Sequence, residues 1–211
     1  MSRDADLPFP IGETLYNGST IDTNNLMGGE FIGRKYIVED IDYASTNVGV
    51  KPKRSNRSRV IMAVRNDTGV AVLPKRIVTL KKGAGEFLGE VDGYADFLGE
   101  AHAYPADEFM PAAGAPNNDV FWVVLEGPAM TLTPSAWPAT SPNDITIGDE
   151  ICAQTAADSN VAANTLSGRA CGRTSDYPTA LTAHRVVVGK AMSAKTSGNT
   201  NADLLVEVIQ H

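Results

Sequence analysis

The feature that most constrains this chain is a series of short segments in which apolar and polar residues alternate with period two, rich in β-branched side chains and separated by Gly, Pro, Asn and Asp. Alternation of this kind puts one set of side chains on each face of a sheet, so each segment reads as a strand. The candidates are residues 36–41, 59–64, 70–73, 77–80, 87–91, 120–126, 129–132, 150–154, 168–173, 185–191 and 204–209. No convincing amphipathic stretch of helical length lies between them, which excludes a βαβ architecture. A spacing of roughly ten to twenty residues with turn residues between points to an all-β fold with a small sandwich or barrel-like core. A chain of 211 residues, 43% of them hydrophobic, can bury one substantial core or two small ones.

The first 58 residues read differently. Gly12, Gly18, Gly28, Gly29, Gly33 and Gly49, with Pro8, Pro10 and Pro52, interrupt the segment and scatter its apolar residues. A stretch of this composition does not offset its own ordering entropy, so the expectation is an extended N-terminal arm that orders against a partner or a neighbouring subunit. The domain division is then 1–58 as arm and 59–211 as β-rich domain, and removal of residues 1–58 is expected to leave a folded core.

Charge is unevenly distributed. Residues 1–50 carry three basic and eight acidic groups, residues 51–82 ten basic and one acidic, and residues 83–211 five basic and sixteen acidic. The acidic body repels phosphate backbones, so nucleic acid is a poor partner for the whole protein. The basic segment from Lys51 to Arg59 holds Lys51, Lys53, Arg54, Arg57 and Arg59. It lacks the aromatic residues that stack on bases, and reads as a mobile electrostatic docking strand for nucleic acid or an acidic protein surface, with Lys53, Arg54 and Arg57 the main contacts; a solvated linker and an intersubunit contact with the chain's own acidic body are the alternatives. No run approaches the roughly 18 apolar residues of a membrane span. Acidic residues stand where a signal peptide would be basic, so the protein is expected to stay where it is made.

A search for chemistry finds no catalytic, cofactor or metal constellation. There is no Gly-x-Ser-x-Gly elbow, and His102, His184 and His211 read as surface or strand-edge imidazoles. Cys152 and Cys171 are too distant for a local zinc pair and read as buried small apolar residues, with pairing to each other the lesser alternative. Asn199, Asn201 and Asp203 have the alternation of a calcium loop without its other ligands, and Gly83, Gly85 and Gly89 imitate a dinucleotide fingerprint with no helix to follow. The acid pairs Asp107-Glu108 and Asp149-Glu150 read as solvated loops. A short Gly-charged-Ala repetition at Gly99, Gly168 and Gly189 suggests close backbone approach on strands.

At residues 64–80, and again at Gly127–Leu132, 147–153 and 188–208, the chain resembles the lambda-like bacteriophage head-decoration (capsid cement) family, in which a Gly-Asp strand, a Gly-x-Ala strand and a final apolar strand follow in this order. The resemblance covers about residues 60–211. It implies a β-tulip-type core, homotrimers at threefold or quasi-threefold positions, and binding to the major capsid protein on the outside of a head assembled in the host cytoplasm. It implies a structural virion protein and transfers no catalytic residue. The long N-terminal part and the Pro-rich loops at 104–118 and 134–143 depart from the pattern. The alternatives are a phage tail or baseplate subunit and, in another class, a hydrolase on a β scaffold.

Overall fold

In the computed structural model the described residues are 7–15, 31–46, 49, 51–81, 89–94, 102–132, 145–154, 169–172, 187–194 and 203–209. They form ten strands: β1 Lys35–Ile41, β2 Lys53–Asn66, β3 Ile77–Leu80, β4 Glu90–Tyr94, β5 Ala103–Pro105, β6 Val120–Leu132, β7 Glu150–Gln154, β8 Arg169–Gly172, β9 Val187–Ala191 and β10 Asp203–Val208. Among the described residues no helix is long and apolar enough to cross a membrane. The all-β class expected from the alternation holds.

The strands form one mixed sheet in the order β5-β3-β4-β2-β6-β10-β9-β7-β8, with β1 also on β2. Among the described residues the strands are joined into one continuous sheet, and β6 is the reason. The expected strands 120–126 and 129–132 are one strand whose first half pairs with β2 and whose second half pairs with β10. Gly127 makes the change of partner possible. Its φ is +94°, and a Cβ there would stand 2.6 Å from the Ser58 carbonyl oxygen. Next to it the β2–β6 register slips between Val60 and Ile61, leaving an extra residue on β6.

At its other end the sheet rolls back on itself. β5 pairs with β3, and the chain then runs on so that Ala106 bridges Val123 of β6 and the Asp107 amide donates to the Trp122 carbonyl at 2.9 Å. Expected strand 70–73 contributes only a bridge, Val72 to Ala115.

Alternation along β2 and β6 divides the interior in two. Met62 and Val64 with Phe121, Val123 and Leu125 face a core completed by Val72, Val78, Leu80 and Val91. Ile61 and Ala63 with Val120, Trp122 and Val124 face the other, which continues through Ile151, Val188, Leu204, Val206 and Val208. Both faces of these central strands are therefore buried, so each needs a cover.

The second core takes part of its cover from the N-terminal segment, and here the structure departs from the expected arm. Phe9 and Ile11 are buried, and Phe9 stacks on Trp122 with centroids 4.4 Å apart. Tyr36 of β1 meets the same indole edge-on at 5.5 Å. Leu15 exchanges two 2.9 Å backbone hydrogen bonds with Val120. A buried aromatic contributes about 1.5–3 kcal/mol by area, with about 0.5–1.5 more for the ring geometry, so a few such anchors hold a segment that is poor in apolar residues overall. β2 also runs unbroken through the expected boundary between residues 58 and 59.

Candidate functional site

The basic segment was the sequence's candidate site, and from Lys53 onward it forms the first half of β2. Between the pairs Glu39↔Ser58 and Ile41↔Lys53, residues 54–57 of β2 stand against the single residue Asp40 of β1. The bulge turns the Arg54 side chain inward, towards acids that a regular strand would leave out of reach.

Arg54 is the centre of the resulting cluster. Its Nη1 and Nη2 donate to Glu108 Oε2 and Oε1 at 2.8 and 2.9 Å, while Nε and Nη2 donate to Asp40 Oδ1 at 2.9 and 2.5 Å. Ser55 Oγ donates to Asp40 Oδ2 at 2.9 Å. Arg59, with 1% of its side chain exposed, donates from Nη1 to Glu108 Oε1 at 3.2 Å. The Arg54 guanidinium lies 5.4 Å from the Phe109 ring centroid, and Tyr43 packs edge-on against the same ring. Burial alone would lower the Arg54 pKa, but hydrogen bonds and charge from Glu108 and then Asp40 outweigh it and hold the group above its ordinary value.

Asp107, beside Glu108, is fully buried. Its Oδ2 accepts from the Gly12 amide at 2.8 Å and its Oδ1 from the Phe109 amide at 3.1 Å. Burial pushes its carboxyl above the usual range, against the lowering effects of the Arg59 charge and these two amides. The expectation of a solvated Asp107-Glu108 loop is thus corrected: the pair turns inward because two arginines and two backbone amides await it there. Asp149 does stand in an exposed turn, where its Oδ2 accepts from the Thr146 amide at 2.8 Å.

The remaining basic residues also have internal partners. Lys51 Nζ donates to the Tyr43 and Ser45 carbonyls at 3.3 and 2.5 Å. Lys53 pairs with Glu39 at 2.7 Å and Arg57 with Glu207 of β10 at 2.6 Å. Lys53 and Arg57 keep about half of their side chains in solvent, whereas Arg54 and Arg59 are largely or wholly withdrawn. Lys53, Arg54, Arg57 and Arg59 do lie together on β2, and Lys51 stands just before it. Their closest acids belong to this same chain, so the cluster acts as a brace joining β1, β2, the 107–109 turn and the segment around Gly12.

Sequence reasoning missed Asp40, and it singled out Asp107 and Glu108 only as a solvated pair. The available signal was charge balance, since a run of five cations needs anions from elsewhere in the chain. All six of their carboxylate oxygens accept a hydrogen bond. Among the described residues no group of three or more His, Cys, Asp or Glu is placed to hold a metal ion. His102 stacks near Tyr104, and Asp203 pairs with Lys75 at 2.6 Å. His184, His211, Gly83, Gly85, Asn199, Asn201, the Gly99 and Gly168 positions and the 134–143 loop lie outside the described residues.

No family model matches the chain, and no curated protein matches it. Among solved structures it is similar to the head fiber gp8.5 N base of bacteriophage phi29, at 15% identity and a TM-score of 0.37, over 72% of this chain and 99% of that one. A likeness at this level leaves the function to be argued from the chain's own residues.

Proposed function

We propose that this protein is a structural subunit of a phage virion, bound as a homotrimer to the major capsid protein on the outside of the head, where it strengthens the shell. The observation that supports this reading is where the resembling segments lie. Gly127–Leu132 is the distal half of β6, the Gly-Asp segment leads into β7, and the closing segment supplies β9 and β10. These pieces, apart in sequence, are neighbours in the order β6-β10-β9-β7. A cement subunit works through many weak contacts multiplied by symmetry, and it needs a stiff sheet more than a pocket. On this reading the protein has no reaction to catalyse and takes no cofactor.

Docking to an acidic shell surface falls to Lys53 and Arg57, the two basic residues of the strand that keep substantial solvent exposure. Arg54 and Arg59 act from behind them, holding the strand in place. A reconstruction of the virion that carries this chain, with light scattering on the purified protein, tests the proposal. Trimers in solution and density at threefold or quasi-threefold positions of the head are expected. Density on the tail would establish the tail or baseplate reading instead, and a monomer that ignores expanded shells would end the cement reading.

A further inference from the structure

The chain has two cysteines, at 152 and 171, and the fold makes them backbone register partners on neighbouring strands. β7 and β8 are antiparallel with Ile151↔Gly172, Cys152↔Cys171, Ala153↔Ala170 and Gln154↔Arg169 as partners. Directly opposed residues of an antiparallel pair share one face of the sheet. Their Cα atoms are about 4.5 or 5.5 Å apart according to the hydrogen-bonding class of the pair, and both distances fall within the roughly 4.4–6.8 Å that a disulfide spans. With only two cysteines in 211 residues, a one-residue slip of this register would put them on opposite faces.

We infer that Cys152 and Cys171 are a cross-strand disulfide site that fastens β8 to the rest of the sheet when the protein meets an oxidising environment. β8 stands at the end of the sheet order, held by the four residue pairs it makes with β7. An end strand has pairing on one side, so it is where the sheet opens most easily and where a covalent tie adds most. The bond would close the loop of residues 153–170. The oxidant is a low-molecular-weight disulfide such as oxidised glutathione. One cysteine thiolate attacks it and releases one glutathione thiol, and the second cysteine thiolate then displaces the other from the mixed disulfide. Two protein thiols lose two protons and two electrons, and one oxidant molecule becomes two thiols. Cys152 is fully buried, so the exchange proceeds only when the β7–β8 end opens, and once formed the bond is shielded from reductant. The inference depends on the register alone and stands whether or not the protein belongs to a virion.

The test uses the full chain, refolded in parallel in a glutathione redox buffer and in excess reductant, so that burial cannot hide the thiols. Each sample is denatured, alkylated and measured by intact mass and by non-reducing peptide mapping. The expected result in the redox buffer is a monomer lighter by two hydrogens, carrying no alkyl groups and giving one linked peptide pair containing Cys152 and Cys171. Its Tm should exceed that of the reduced form by roughly 5–10 °C. Reductant should abolish the difference, and so should Cys171→Ala, whose reduced-state Tm provides the baseline. Two alkylated thiols after refolding in the redox buffer, glutathione adducts without a cross-link, or disulfide-linked dimers would each overturn the inference.

Discussion

The two halves of β2 share one continuous strand and are held by opposite means. Residues 59–66 have Ile61 and Ala63 against one core and Met62 and Val64 against the other, with β6 alongside. Residues 53–58 carry almost no apolar surface and are fixed instead by ion pairs to Glu39, Asp40, Glu108 and Glu207. The contrast shows that strand formation follows from the available neighbours as much as from a strand's own alternation. It also shows that a charge run can be interior bracing where composition suggests a solvated tether.

The largest effect that would break this contrast is deletion of residues 1–58. It removes β1, the charged half of β2 and the Phe9 cover over Trp122. We expect loss of cooperative unfolding, read by near-ultraviolet circular dichroism during a thermal melt. A sharp melt from the truncated chain would restore the arm that the sequence suggested. Next comes Glu108→Ala, which leaves Arg59 buried without its carboxylate and should cost about 3–5 kcal/mol in urea unfolding. In the apolar half, Ile61→Ala should cost about 2–5 kcal/mol by the same measurement, through lost transfer energy and a residual cavity.

Asp107 sharpens the contrast through pH. Its folded-state pKa is raised above 3.8, so the folded protein retains this proton where the unfolded chain has released it. The group's favourable contribution is complete below 3.8 and is lost as pH rises through the higher folded value. Asp107→Asn cannot ionise, so the stability of the variant relative to the parent should improve as pH rises from about 4 to 7, followed by urea midpoints. A constant difference across that range would remove Asp107 from the titration. The smallest effect belongs to Lys53→Ala, which breaks an exposed pair and should change stability by less than about 1 kcal/mol.

Much of the sheet was legible in the sequence. Ile77–Leu80 and Glu150–Gln154 match the expected strands residue for residue, because each is a short, largely apolar run between polar or turn residues. β5, three residues long, carries too short a pattern to register. The first half of β2 has no apolar alternation, and its pairing with β1 is fixed from outside. Residues 7–15 were hidden for a related reason: Pro8, Pro10 and Gly12 mark a loop correctly, but they say nothing of whether Phe9 finds an indole to lie on. The brace was invisible because its anions are 14 and 54 residues from Arg54.

The link between Gly12 and Asp107 spans 95 positions, and that between Thr14 and Asp119 spans 105. On the ribosome, the segment around Phe9 therefore emerges long before the surface it will cover exists. Contacts of such long sequence separation also slow folding, since distant parts of the chain must be brought together before they reward the closure. The nascent chain thus carries an uncovered aromatic until Trp122 has been made, and its yield should depend on how well a chaperone shields that interval.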